Sequence, residues 1–284
     1  MKALFLIQFV IQGGKMENIL NHVNHHVDFI HQTYNPKDRF FTALQGSQNY
    51  NLADSLSDID TKTLILPTLD SFIYGKREAS TTLVLPNNEH ADIKDFRDMF
   101  QMFRKQNINF IEILFTPYVN VNPDWEWFYN QLVSRAEDIA HYNRFTTMKA
   151  MTGHLRQKAS KFYNETVTTG VDVKKYGYDP KQLHHMVRIQ DFLIRYVKDE
   201  PYKDILEQPS DIDYIKSVKR GYYTLSEAEK LRDTLLVWAN DFETRWGDKL
   251  PNENNPDVER FLSELERNMM VRRMREVTKG YYAS

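Results

Sequence analysis

The apolar residues of this chain change period part-way along, and that change limits the folds open to it. At 39–45, 59–66, 81–85 and 89–94 the side chains alternate or run β-branched and aromatic, the pattern of strands. Pro36, Pro67 and the Pro86-Asn87-Asn88 turn separate these runs. Helical spacing is carried at 17–34 by Ile19, Val23, Val27 and Ile30, and again by Phe96, Met99, Phe100 and Phe103. A short helix is expected at 69–74, and 110–115 is apolar but ambiguous in type. After Pro123 the helical period persists at about 124–140, 143–164, 180–198, 210–217, 224–246 and 255–276, with 170–179 as the main loop. Strand-rich first and helix-rich second predicts an α+β fold: a small mixed sheet in 1–120, with an extension over 1–16, followed by a helical domain over 121–284.

A length of 284 residues with 13% aromatic side chains provides ample core material, and ten Gly with ten Pro exclude a low-complexity chain. There is no cysteine, which excludes disulfides, thiol catalysis and thiolate zinc sites and fits a reducing, cytoplasmic setting. A net charge of −2 argues against a uniformly basic nucleic-acid coat protein but leaves room for a local basic groove. The apolar run at 3–11 is too short to span a bilayer and lacks a small-residue cleavage site. Gln12-Gly13-Gly14-Lys15 before Met16 is what a purine-rich ribosome-binding sequence would spell if translated, so Met16 competes with Met1 as the start.

Asp58 and Asp60 stand two apart at the head of a strand, so both carboxylates point to one face. Such a pair is repulsive unless it meets open water or a cation, and hard oxygen donors favour Mg2+ or Mn2+. An isolated Asp-x-Asp is ordinarily a solvated strand end. Here Gly46-Ser47 precedes it, where glycine allows close approach of a phosphate and Ser47 offers an N–H and a hydroxyl. A helix starting there would add a favourable potential for anions.

Gly46-Ser47-Gln48-Asn49-Tyr50-Asn51-Leu52 followed by Ser57-Asp58-Ile59-Asp60 resembles the signature of the DNA polymerase beta superfamily of nucleotidyltransferases, most closely a branch associated with RNA repair. Asp92, the 96–105 helix, Asn107 and Glu112-Ile113-Leu114-Phe115 follow in the family's order, and the likeness covers about residues 40–245. The resemblance implies that 1–120 is the catalytic domain. It also implies that Asp58, Asp60 and Asp92 are the catalytic carboxylates and metal ligands, and that an NTP is the substrate. Asn51 stands where the family often has Gly; asparagine tolerates a left-handed backbone, so the turn is expected to survive. Asp54 and Asp70 are read as unrelated to the site.

On a helix from Lys181, the residues Lys181, His185, Arg188, Phe192 and Arg195 form one stripe, opposite Leu183, Met186, Val187, Leu193, Ile194 and Val197. A solvated charged face is the ordinary reading; the resemblance instead sets Lys181, Arg188 and, less directly, His185 across from the aspartates, against phosphates. Arg144, Lys149, Arg156, Lys158 and Lys161 lie in a stretch without acidic residues, and Arg267, Arg272, Arg273, Arg275 and Lys279 cluster near Tyr281 and Tyr282. Both segments admit an anionic partner such as RNA or tRNA, or mere charge compensation. His22, His25, His26 and His31 raise the idea of a zinc site, which no neighbouring carboxylate in the sequence supports. Met269, Met270 and Met274 read as packed helix. The expected activity is nucleotidyl transfer to an RNA or tRNA 3′ end. A protein or small-molecule acceptor is the alternative within the enzyme class, and a non-catalytic nucleotide-binding protein the alternative outside it. No membrane association is expected, and the oligomeric state is open.

Overall fold

The computed structural model describes residues 17–54, 57–166 and 169–283; the apolar N-terminal run and both candidate starts lie outside them. The fold is α+β. Five strands form one mixed sheet in the order β3-β4-β2-β1-β5: β1 Arg39–Gln45, β2 Asp60–Ile65, β3 Ser80–Val84, β4 His90–Asp95 and β5 Val119–Val121. β2 and β4 are parallel, and the other neighbours are antiparallel.

Helix α1, over 17–30, covers one face of the sheet, where Ile19 and Val23 meet Leu44 and Ile59 while Ile30 meets Ile65, Ala91 and Ile93. Helix α2, Leu69–Tyr74, starts at the Thr68 cap and stops at left-handed Gly75. Helix α3, Phe96–Arg104, is started by Asp95, whose side chain accepts from the Arg97 N–H, and it buries Phe96, Met99, Phe100 and Phe103 as the spacing requires. The ambiguous 110–115 run resolves into α4, Ile108–Ile111, and a 3-10 turn, Glu112–Leu114.

The second half contains α5 Glu126–Ser134, α6 Ala136–Ala140, α7 Arg144–Ser160, α8 Gly170–Tyr176, α9 Pro180–Tyr196, α10 Tyr202–Glu207, α11 Ile212–Lys219, α12 Leu225–Gly247 and α13 Pro256–Ala283. Two differences from the sequence reading stand out. The expected 124–140 helix is broken between α5 and α6 at Arg135. The expected loop at 170–179 is largely α8, ended by Gly177 at φ +83°; it buries only Val173, too little to register as a period.

The two halves share one core, continuous from Phe40 on β1 through Phe103 and Leu193 to Met269 on α13. Helix α13 returns to the first half. Glu259 and Glu266 bind Arg104, at 3.1 and 3.0 Å, and Arg273 donates to the Pro67 carbonyl at 2.8 Å and pairs with Asp38. Met269 is fully buried and Met270 packs on the core, whereas Met274 is exposed. Among the described residues no helix is long and apolar enough to cross a membrane.

Candidate active site

A cavity of about 510 Å³ opens between the sheet and the helical half. Gly46, Ser47, Asp58, Asp60, Asp92, Lys181, His185 and Arg188 all line it, so the structure brings together every site residue expected from the sequence. Arg195, also in the α9 stripe, turns away to Glu200 at 2.7 Å and the Gln208 carbonyl. Ile194, placed on the packed side, is 37% exposed.

The acidic wall follows from strand register. β2 and β4 run parallel with Lys62 opposite Asp92, and the two-residue pleat puts Asp60 on the same face as both. Asp58 is exposed, with no hydrogen-bond or ion-pair partner for its carboxylate among the described residues. Asp60 accepts from the His90 N–H at 3.3 Å and meets its Nδ1 at 3.2 Å. Asp92 is bracketed by Lys62 and, at 3.1 Å, Lys94. Lys62 was not anticipated. Burial pulls its ammonium below the usual lysine value, Asp92 opposes that pull, and the group rests 4.7 Å from the centre of the Phe110 ring. Ser57 and Asp54, just ahead of Asp58, are held by Lys219 of α11 at 2.9 and 3.2 Å. Asp54, read from the sequence as unrelated to the site, is thus tied to two residues that line the cleft.

At Gly46 the backbone adopts φ +88° and ψ −155°, a conformation that glycine alone takes readily. The turn that follows, Ser47–Tyr50, is a single 3-10 turn rather than a full helix, so little macrodipole acts there. It ends at Asn51 with φ 56° and ψ 21°, the left-handed backbone expected at this position, and Asn51 Nδ2 donates to the Glu207 carbonyl at 2.7 Å. The Gly46 N–H is near enough to the Glu112 carboxyl to favour its charged form. Glu112 is only 3% exposed and its Oε2 has no partner. Burial pushes its carboxyl up to about 7, against the pull of Arg188 and the Gly46 N–H. Sequence order alone had marked Glu112 only as part of a motif.

The facing wall is cationic. Lys181 and Arg188 come from α9, Lys158 from α7 and Lys219 from α11. The Arg188 guanidinium lies over the Tyr50 ring, and burial draws its pKa down to about 10, still charged at neutral pH. Lys158 is lowered by burial and then by the nearby charges of Lys161 and Lys181. Burial and the same cations hold His154 at about 4 and His185 well below its ordinary value. His184, which bonds the Ile215 carbonyl, is also brought to about 4 by burial. The wall is thus built from fixed cations and neutral imidazoles.

Several of the other basic residues are neutralised through space. Lys149 and Arg156 converge on Glu243 at 2.6 and 2.7 Å; burial raises this carboxyl, but their hydrogen bonds, with one from Thr152, bring it to about 2. Arg144 pairs with Asp199 at 2.7 Å, and Arg272 with Glu276 at 3.0 Å. The histidines of α1 do find a carboxylate, from far away in sequence: Glu89 binds His26 at 2.9 Å and His22 at 3.0 Å.

Among the described residues no three carboxylate or imidazole side chains are gathered closely enough to hold a metal ion as they stand. The donor set around the cleft nevertheless fits a hard dication in kind: carboxylate oxygens from Asp58, Asp60 and Asp92, with Asp58 unengaged. No protein-family model matches the chain, and no curated protein matches it.

Proposed function

We propose that the cleft binds a nucleoside triphosphate and transfers its nucleotidyl group to an acceptor hydroxyl, releasing pyrophosphate. One observation carries this reading: three carboxylates and a set of fixed cations face each other across one cavity, with a glycine turn between them. Asp58, Asp60 and Asp92 would hold Mg2+ or Mn2+, which when bound supplies positive charge to the phosphates and acidifies a nearby hydroxyl. Lys181 and Arg188 bind the outer phosphates and meet the charge that develops on the departing pyrophosphate. Ser47 adds its N–H and hydroxyl. The acceptor oxygen bonds to the α-phosphorus as the bond from that phosphorus to the bridging oxygen breaks. The hydroxyl proton passes to the acidic wall, where the Asp58 carboxylate is the one of the three without an ion pair among the described residues.

An RNA or tRNA 3′ end is the acceptor we favour, since Lys158 and Lys181 line the cleft and Lys161 lies near Lys158; a protein or small-molecule hydroxyl is the alternative. A second reading, nucleotide binding without turnover, draws support from the double hold on Asp92. Incubation with labelled NTPs and total host RNA and protein, followed by gel separation, tests both. Transfer should vanish in Asp58→Asn and Asp60→Asn with the melting temperature retained. Normal activity in either variant refutes the mechanism, and absence of pyrophosphate release with every acceptor favours the binding module.

A further inference from the structure

A second groove, of about 390 Å³, adjoins the cleft and shares Ile108, Asn109, Met151 and His154 with it. It runs between the start of α4 and the middle of α7, and its lining contains no carboxylate, ammonium or guanidinium group. His154, held at about 4, is neutral there. A groove without charge next to a cleft full of charge divides a ligand into an ionic part and a neutral part.

Its polar groups are amides with bonds to spare. The Asn107 amide nitrogen meets only the Met102 sulfur, at 3.8 Å, while the Asn109 and Gln157 side chains make no hydrogen bond among the described residues. The Gln106 amide is fully used, by the Phe103 and Ile139 carbonyls and by Thr147, and is structural. Between the amides lies Gly153, where an added Cβ would meet nothing within 4 Å. A mid-helix glycine costs about 1 kcal/mol relative to alanine, and the packing of this helix does not call for one. Its effect is to leave the floor of the groove flat, beside the apolar Met151 and Ile108.

We propose that this groove receives the nucleobase of the nucleotide whose phosphates occupy the cleft: a flat, neutral heterocycle over Gly153 and Met151, edge-bonded by Asn109 and Gln157. The inference rests on the proposed function and names the part of the substrate that function leaves unassigned. Amides both donate and accept, so the groove can bond the edge of any base.

The test compares equilibrium binding of tripolyphosphate and of each NTP, with Mg2+ present, to the full chain and to Gly153→Leu, which fills the groove and raises helix propensity. The wild type should bind at least one NTP about ten-fold tighter than tripolyphosphate. Gly153→Leu should keep tripolyphosphate binding and lose that advantage. The Asn109→Ala/Gln157→Ala double variant should lose it without added bulk. Equal binding of NTPs and tripolyphosphate to the wild type overturns the inference, as does an advantage that survives in Gly153→Leu, or a variant that loses both ligands alike. If the wild type binds neither ligand, the proposed function falls, and the inference with it.

Discussion

The guanidinium of Arg188 lies 3.2 Å from the centre of the Tyr50 ring, tying helix α9 to the turn that begins at Gly46. The same guanidinium is near enough to Glu112 to offset part of that carboxylate's burial cost. Arg188→Ala removes the stacked cation and the charge that partly offsets the burial of Glu112, and should cost about 1–3 kcal/mol. Adding Glu112→Gln should recover part of that loss. A double-mutant cycle by urea denaturation checks it, with a coupling of about 1–3 kcal/mol expected.

Glu112 also predicts a pH dependence. Its folded-state pKa, about 7, lies above the ordinary carboxyl value, so the folded chain holds this proton more firmly than the unfolded one. Its contribution is therefore fully present below about pH 4.5 and lost as pH rises through about 7, a swing on the order of 3 kcal/mol. His154 and His184 act in the opposite sense: their folded values near 4 mean that stability falls as pH drops from 6.5 toward 4. Wild-type stability thus mixes opposing slopes. The difference between wild type and Glu112→Gln, taken from urea midpoints between pH 5 and pH 8, should isolate the carboxylate.

Gly46→Ala probes the turn itself. An alanine Cβ would find open space, but φ +88° is strained for any side chain. A loss of about 1–2 kcal/mol is expected, with weaker tripolyphosphate binding if the turn relaxes and turns Ser47 away. Melting curves and calorimetric titration report the two effects separately.

How much of this was legible beforehand depends on the range of the interactions involved. β1 and the buried face of α3 follow from local spacing, and the strand period sets Asp60 and Lys62 on one face, whereas Asp58 lies just ahead of β2 and outside that period. β5 spans only three residues, too few to alternate visibly. The pairing of Asp92 with Lys62, the capture of His22 and His26 by Glu89, and the quenching of Lys149 and Arg156 by Glu243 join residues from 30 to 94 positions apart. For Arg144, Lys149, Arg156 and Arg272 the compensation alternative holds, and the carboxylates that supply it cannot be picked out from the local sequence. Glu112 was invisible for a related reason: nothing in Glu-Ile-Leu says that the carboxylate will be buried under a glycine turn.

Anion binding should take up protons. His154 stands among Lys158, Arg188 and Lys161, which oppose its protonation along with burial. A bound polyphosphate would reverse that local field and favour both the imidazolium and the neutral form of Glu112. Tripolyphosphate affinity should therefore rise as pH falls from 7 to 5. Calorimetry at pH 6 in two buffers of different ionisation enthalpy should reveal net proton uptake, and His154→Gln and Glu112→Gln should each diminish it.

Helix α13 brings Glu259, Glu266 and Arg273 back to residues of the first hundred or so. During synthesis, Arg104, Asp38 and the Pro67 carbonyl must therefore wait for partners that leave the ribosome more than 150 residues later. A nascent chain stopped near residue 250 would carry every residue of the cleft yet lack the buckle that binds its two halves, and would be an early target for proteolysis.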